Sequence, residues 1–132
     1  MKRGLDFFGI VSLANAALFF FLFVQLQFTP EAFVQGLGLE PGMASTILCR
    51  RASMLFLGTG VMLALLCKLS DPKARRSVCL GMIVTMFGFA SMGSLELVRG
   101  TVNSSVLMAA IIEAVFGLLY VVALVRSGKS LV

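Results

Sequence analysis

The sequence predicts an all-α integral membrane protein, a four-helix bundle with antiparallel up-down topology. Three observations carry that expectation. Of 132 residues, 59% are hydrophobic and 13% charged, and the mean hydropathy is +1.03. A water-soluble chain of this size cannot hide so much apolar surface, so the solvent is lipid. Four apolar runs, each long enough for a hydrocarbon core of about 30 Å, are separated by Gly/Pro or charged segments. Finally, the net charge of +5 comes from basic residues that flank these runs and do not interleave with aromatics on a polar face. That is the pattern of membrane orientation, and it argues against a nucleic-acid partner.

The first helix is expected over residues 5–28. Met1-Lys2-Arg3 before an apolar run, with Ala14-Asn15-Ala16 further on, has the outline of a signal peptide. Cleavage there would leave residues 17–28, too short to span, so a retained helix is expected. Ser12 and Asn15 lie three apart, on one face, and are read as pointing into the bundle to hydrogen-bond between helices. Thr29-Pro30 ends the helix. A short helix over residues 31–35, capped by Thr29, follows before Gly36, Gly38, Pro41 and Gly42 break the chain. Phe33, Leu37 and Leu39 make this loop apolar enough to lie in the interface or fold over the bundle mouth, or simply to tether.

A second long helix is expected over residues 43–68, with Arg50 and Arg51 about two turns inside its start. Such arginines snorkel to headgroups. If one faces inward it is Arg51, which shares a face with Leu55, Gly58 and Met62. Leu69-Ser70-Asp71-Pro72-Lys73-Ala74-Arg75-Arg76-Ser77 is read as a polar turn around the breaker pair Asp71-Pro72. The third long helix, residues 78–98, is rich in small residues (Gly81, Gly88, Ser91, Gly93, Ser94), as close packing in lipid requires. Glu96 and Arg99 close it at a spacing that permits an ion pair. The fourth covers residues 105–125, followed by a polar tail from Arg126 to Ser130. Within it, Glu113 is an acid in a greasy helix, which costs about 2.5–3.5 kcal/mol unless it is paired, protonated or wet.

Four crossings put both termini and the 69–77 turn on one side. That side holds Lys2, Arg3, Lys68, Lys73, Arg75, Arg76, Arg126 and Lys129, eight of the eleven basic residues. The positive-inside rule then makes both termini cytoplasmic, in an inner or plasma membrane. The same connectivity confines Arg50, Arg51, Glu96, Arg99 and Glu113 to the other half of the bilayer. They are the candidate functional polar cluster, with Arg51 or Arg99 long enough to reach Glu113. On the last helix Ala110, Glu113, Gly117 and Tyr120 share the face taken as inward. Asn15, Tyr120 and Gly117 are candidate pocket lining. Glu113 has two competing readings: a paired or protonated acid that fixes helix register, or a proton- or ligand-binding carboxylate in an outward-opening pocket. On either, Glu113→Gln is expected to leave insertion intact while weakening the bundle or abolishing activity.

The chain has no histidine, and Cys49, Cys67 and Cys79 form no C-x-x-C pair. No catalytic, metal-ligating or cofactor-binding set is therefore expected, and no structural disulfide.

This layout resembles the small four-helix membrane proteins of the DoxX-like superfamily, especially its members of unknown function. The features that carry the resemblance are Phe28-Thr29-Pro30, the loop through Gly38-Leu39, Arg51 before Gly58 and Gly60, and Glu113 with Gly117. It implies a cytoplasmic-membrane bundle without an assigned activity. The leading functional expectation is a non-enzymatic accessory or scaffold subunit, associating with a membrane-protein partner or with further copies. The alternative is a small transporter or channel that binds a proton, ion or small polar solute at the outer Arg/Glu cluster. The near absence of polar residues from the cytoplasmic half, Ser12 and Asn15 apart, weighs against it. A lipid-acting enzyme ranks third.

Overall fold

A computed structural model of the chain describes residues 4–129, Lys129 by its backbone alone. Among these residues every regular element is helical: α1 (Phe7–Phe28), α2 (Pro30–Gly36), α3 (Met43–Leu66), α4 (Pro72–Val98) and α5 (Val106–Lys129). All but α2 are long and apolar enough to cross a membrane. The signal-like Met1-Lys2-Arg3 lies outside the described residues.

Several boundaries differ from the sequence expectation, each for a local reason. Helix α1 begins at Phe7, because Asp6 takes the N-cap and accepts from the Gly9 amide at 3.0 Å. The expected polar turn over residues 69–77 is largely helix. Asp71 is the N-cap of α4, accepting from the Lys73 and Ala74 amides, and Pro72 is its first residue. Asp-Pro reads as a breaker from the preceding side and as a helix start from the following side. The expected tail is helical as far as Lys129. At the other junction, Thr29 precedes α2 without capping it, since its hydroxyl donates back to the Gln25 carbonyl at 3.0 Å.

Two helix ends are sealed alike. Gly38 (φ 80°) follows α2 and Gly100 (φ 73°) follows α4. At the first, Gly38 donates to Gln35 and Leu39 to Val34; at the second, Gly100 donates to Leu97 and Thr101 to Glu96. This paired bonding with a left-handed glycine satisfies carbonyls that a helix end otherwise leaves open.

Helix α1 packs along α3, and α4 along α5; α1 meets α5 over a shorter stretch and α2 touches α1 and α3. At one end of the molecule Asp6 forms an ion pair with Arg75, Arg126 stacks over Phe7 at 4.5 Å and Gly9 sits against the Cys67 carbonyl. That end therefore gathers the start of α1, the end of α3, the start of α4 and the end of α5. The other end joins the end of α1 to α3 through Ser53 donating to Gln27 at 2.8 Å. The α4–α5 turn closes on α2 there, with Asn103 donating from its backbone to Leu37 at 2.9 Å.

The core lies towards the first of these ends. Phe8, Val11, Ala16 and Phe19 of α1 meet Leu63 of α3, Cys79, Met82 and Met86 of α4, and Tyr120 and Ala123 of α5. Lipid tails are as apolar as these side chains, so close contact and interhelical hydrogen bonds hold the helices together, more than exclusion of apolar surface.

Candidate functional site

Helix α3 turns Ser53, Gly60 and Leu63 inward, a seven-and-ten spacing, and all three are buried. That rotation sends the face of Arg51 outward: Arg51 and Gly58 are exposed, with Leu55 74% and Met62 46% accessible. Outward-facing arginines agree with the snorkelling reading, and the conditional alternative of an inward Arg51 is not what the helix rotation gives. Gly60, not Gly58, is the glycine of close approach, packed against the Phe20 ring. Arg50 is exposed as well, and its carbonyl accepts from Ser53 at 2.6 Å. Face-sharing along one helix was read correctly; which face turns inward depends on the neighbours.

Glu96 and Arg99 pair at 3.0 Å, and the Thr101 hydroxyl also donates to Glu96. This cluster is local to the end of α4. Among the described residues the ion pairs are Asp6–Arg75 and Glu96–Arg99. Glu113 makes no hydrogen bond or ion pair with another described residue. The five expected residues thus do not close into one network: one pair is local, two arginines face outward and the acid is unengaged.

On α5 Ala110, Gly117 and Tyr120 are buried while Glu113, angularly between Gly117 and Tyr120, is half-buried. The difference comes from what each level meets. Gly117 is covered by Phe87 of α4, whose ring would lie 2.9 Å from a Cβ placed there. Tyr120 is wholly buried and its hydroxyl accepts from the Asn15 amide at 3.2 Å. At Glu113 the helices part and leave a cavity of about 430 Å³ between α1, α2 and α5.

Leu18, Phe21, Leu22 and Gln25 of α1 form one wall, and Met108, Ala109, Ile112 and Glu113 of α5 the other. Helix α2 lines the end with Ala32, Phe33 and Gly36. It is held there by the Gly36 carbonyl, which accepts from Asn103 Nδ2 at 3.0 Å and from the Ser105 hydroxyl at 2.7 Å. Among the described residues Glu113 is the single ionisable side chain in the lining. The Gln25 side-chain amide also has no hydrogen bond to a described residue, so the apolar cleft contains one carboxylate and one amide that are both unengaged.

Asn15, Tyr120 and Gly117, expected to line a pocket, lie outside this lining and belong to the packed interior. The cavity wall on α1 was missed although its signal was present. Leu18, Phe21, Leu22 and Gln25 recur at three, four and seven, placing a polar side chain on an apolar face. Among the described residues no three His, Cys, Asp or Glu side chains gather as metal ligands.

Among the described residues fold and site define a class, a small helical protein with four helices of membrane-crossing length and an apolar cleft that holds Glu113. Comparisons with protein-family models, with curated proteins and with solved structures return no match.

Proposed function

We propose that this chain is a non-enzymatic accessory or scaffold subunit of the cytoplasmic membrane, with helices crossing up and down in turn and both termini cytoplasmic. The up-down order is supported by the meeting of alternate helix ends around Asp6, Arg75, Arg126 and Cys67. The orientation rests on the excess of basic residues on that side of the chain. Membership of the DoxX-like superfamily fits this layout and remains part of the proposal.

One observation carries the scaffold reading. On α4 the residues Gly81, Val84, Gly88, Ser91 and Leu95 recur at three, seven, ten and fourteen, and all five are exposed. A Cβ added at Gly81 or Gly88 would meet no atom within 4 Å. No described neighbour therefore requires a glycine at either position, while an exposed stripe with small residues lets another helix approach closely in lipid. The transporter alternative loses its main support because Arg50 and Arg51 are turned away from Glu113's cleft.

The test is Gly88→Ile, which has open space in the monomer. In a mild neutral detergent, affinity purification of the wild type is expected to recover a stoichiometric membrane-protein partner or a homo-oligomer, and Gly88→Ile is expected to release it while melting as the wild type does. A wild-type protein that purifies as a monodisperse monomer without partners ends the scaffold reading.

A further inference from the structure

We propose that the cleft between α1, α2 and α5 is a binding site for a single-chain cationic amphiphile, with the ammonium head at Glu113 and Gln25 and the apolar chain along Leu18, Phe21, Leu22 and Phe33. This site is independent of the α4 face. Its volume, about 430 Å³, is within the range of small-molecule sites, roughly 300–1,000 Å³. At about 30 Å³ for each water-sized group it holds about fourteen such groups, enough for one chain of a dozen carbons with its head. A second acyl chain would have to lie outside that space.

Charge decides the head group. Among the described residues Glu113 is the single ionisable one of the lining and has no partner. Among the described residues no basic side chain lines the cleft to receive an anion. An ammonium group offers three donors. The cleft offers acceptors for them, two carboxylate oxygens of Glu113 on the α5 wall and the amide oxygen of Gln25 on the α1 wall. A bound carboxylate would instead set two like charges together in a poorly solvated site. The remaining polar groups are already committed: Ser105 donates to Gly36, and Thr29 to Gln25's own carbonyl. The clamp on α2 builds the end wall from helix and turn together, so the cleft is a shaped site and not a gap between loosely placed helices.

Amino-headed amphiphiles come from two sources, single-chain amines and two-chain aminophospholipids, and the volume selects the first. The test uses the full chain in phosphatidylcholine nanodiscs, with dodecylammonium, dodecanol and dodecanoate as probes and retention read by native mass spectrometry. Wild type is expected to retain dodecylammonium at least ten-fold more tightly than either of the others. Glu113→Gln is expected to lose that preference, since its amide keeps the shape and removes the charge. Ala109→Phe, at an exposed position on the cavity wall, is expected to block all three probes; Ala32→Phe on α2 serves the same purpose if that variant does not fold. Equal retention of amine and alcohol by the wild type, or an undiminished amine preference in Glu113→Gln, overturns the site. Displacement of dodecylammonium by phosphatidylethanolamine overturns the single-chain assignment.

Discussion

The two ends of this molecule are built from the same residue types and packed differently. Around Asp6 and Arg75 four helix ends converge, and beneath them lies an interior of Phe8, Phe19, Leu63, Met86 and Tyr120, each no more than 2% exposed. Around Glu113, two turns along α5 from Tyr120, α1 and α5 stand apart and α2 closes one end of the gap. Hydropathy does not separate the two ends, since both are rich in Leu, Phe and Val. Interlocking does. At the packed end a glycine brings α1 onto the end of α3 and a buried Asn–Tyr hydrogen bond ties α1 to α5. At the open end the corresponding level holds an acid that no described residue engages. Where exclusion of apolar surface drives little, contact geometry decides which part of a bundle is solid and which is a cleft.

The comparison can be broken most forcefully at Gly9. A side chain there would stand inside contact distance of the Cys67 backbone carbonyl, which cannot rotate away. Gly9→Leu is expected to cost about 3 kcal/mol or more, read as a large fall in melting temperature in detergent. Gly81→Ala, with open space around it, is expected to leave the melt unchanged or raise it slightly through helix propensity.

Tyr120→Phe comes next. It strips the partner from the fully buried Asn15 amide, at an expected cost of about 1–3 kcal/mol. Tyr120→Phe with Asn15→Leu should cost less than the sum of the single changes, because the second change removes the orphaned group. Strict additivity in thermal or denaturant unfolding would show that the hydrogen bond does not tie α1 to α5.

A smaller effect, within about 1 kcal/mol for a solvent-accessible ion pair, is expected at Asp6. Burial opposes its ionisation, but the Gly9 amide and the Arg75 guanidinium outweigh it and hold the carboxyl below its ordinary 3.8. The stabilisation is therefore complete above that value and lost as pH falls through the lowered folded one. Asp6→Asn keeps a cap acceptor and removes the charge. Its melting temperature should fall below wild type at neutral pH and converge with it in acid.

The smallest change in stability is expected at the open end. Glu113→Gln breaks no ion pair and no hydrogen bond to a described residue, so its melt should stay within about 0.5 kcal/mol of wild type. Of the two outcomes expected for this substitution, a weakened bundle or abolished activity, this favours the second. A loss comparable to Tyr120→Phe would show that the acid is a packing element after all.

Much of the architecture was legible in the chain because it follows from local chemistry. Four runs of membrane length become four long helices, since backbone groups in lipid must be satisfied within their own segment. Pro30, Gly38 and Gly100 mark ends that a lone proline or a left-handed glycine dictates. The acid–base spacing of Glu96 and Arg99 likewise becomes a local pair. Asp71-Pro72 reads as a break inside a polar turn and is instead the start of α4.

The candidate site was legible only in part. Glu113 stood out because a charge in an apolar helix is conspicuous at any rotation. Its surroundings did not, because face-sharing on α3 fixes that Arg51, Leu55 and Met62 lie together and leaves open which way they turn. Ser53, Gly60 and Leu63 took the inward face, and the arginines went outward with the rest.

The sequence alone determined an all-helical chain, the number of membrane-length helices and the oddity of Glu113, since each depends on residues within one segment. Helix rotation, the solid end and the cleft at the other were decided only by tertiary structure, through contacts such as Phe87 on Gly117, Asn15 on Tyr120 and Asn103 on Gly36 that join residues distant in the chain. An apolar helix carries no strong preference for which of its faces meets another helix, so packing has to choose.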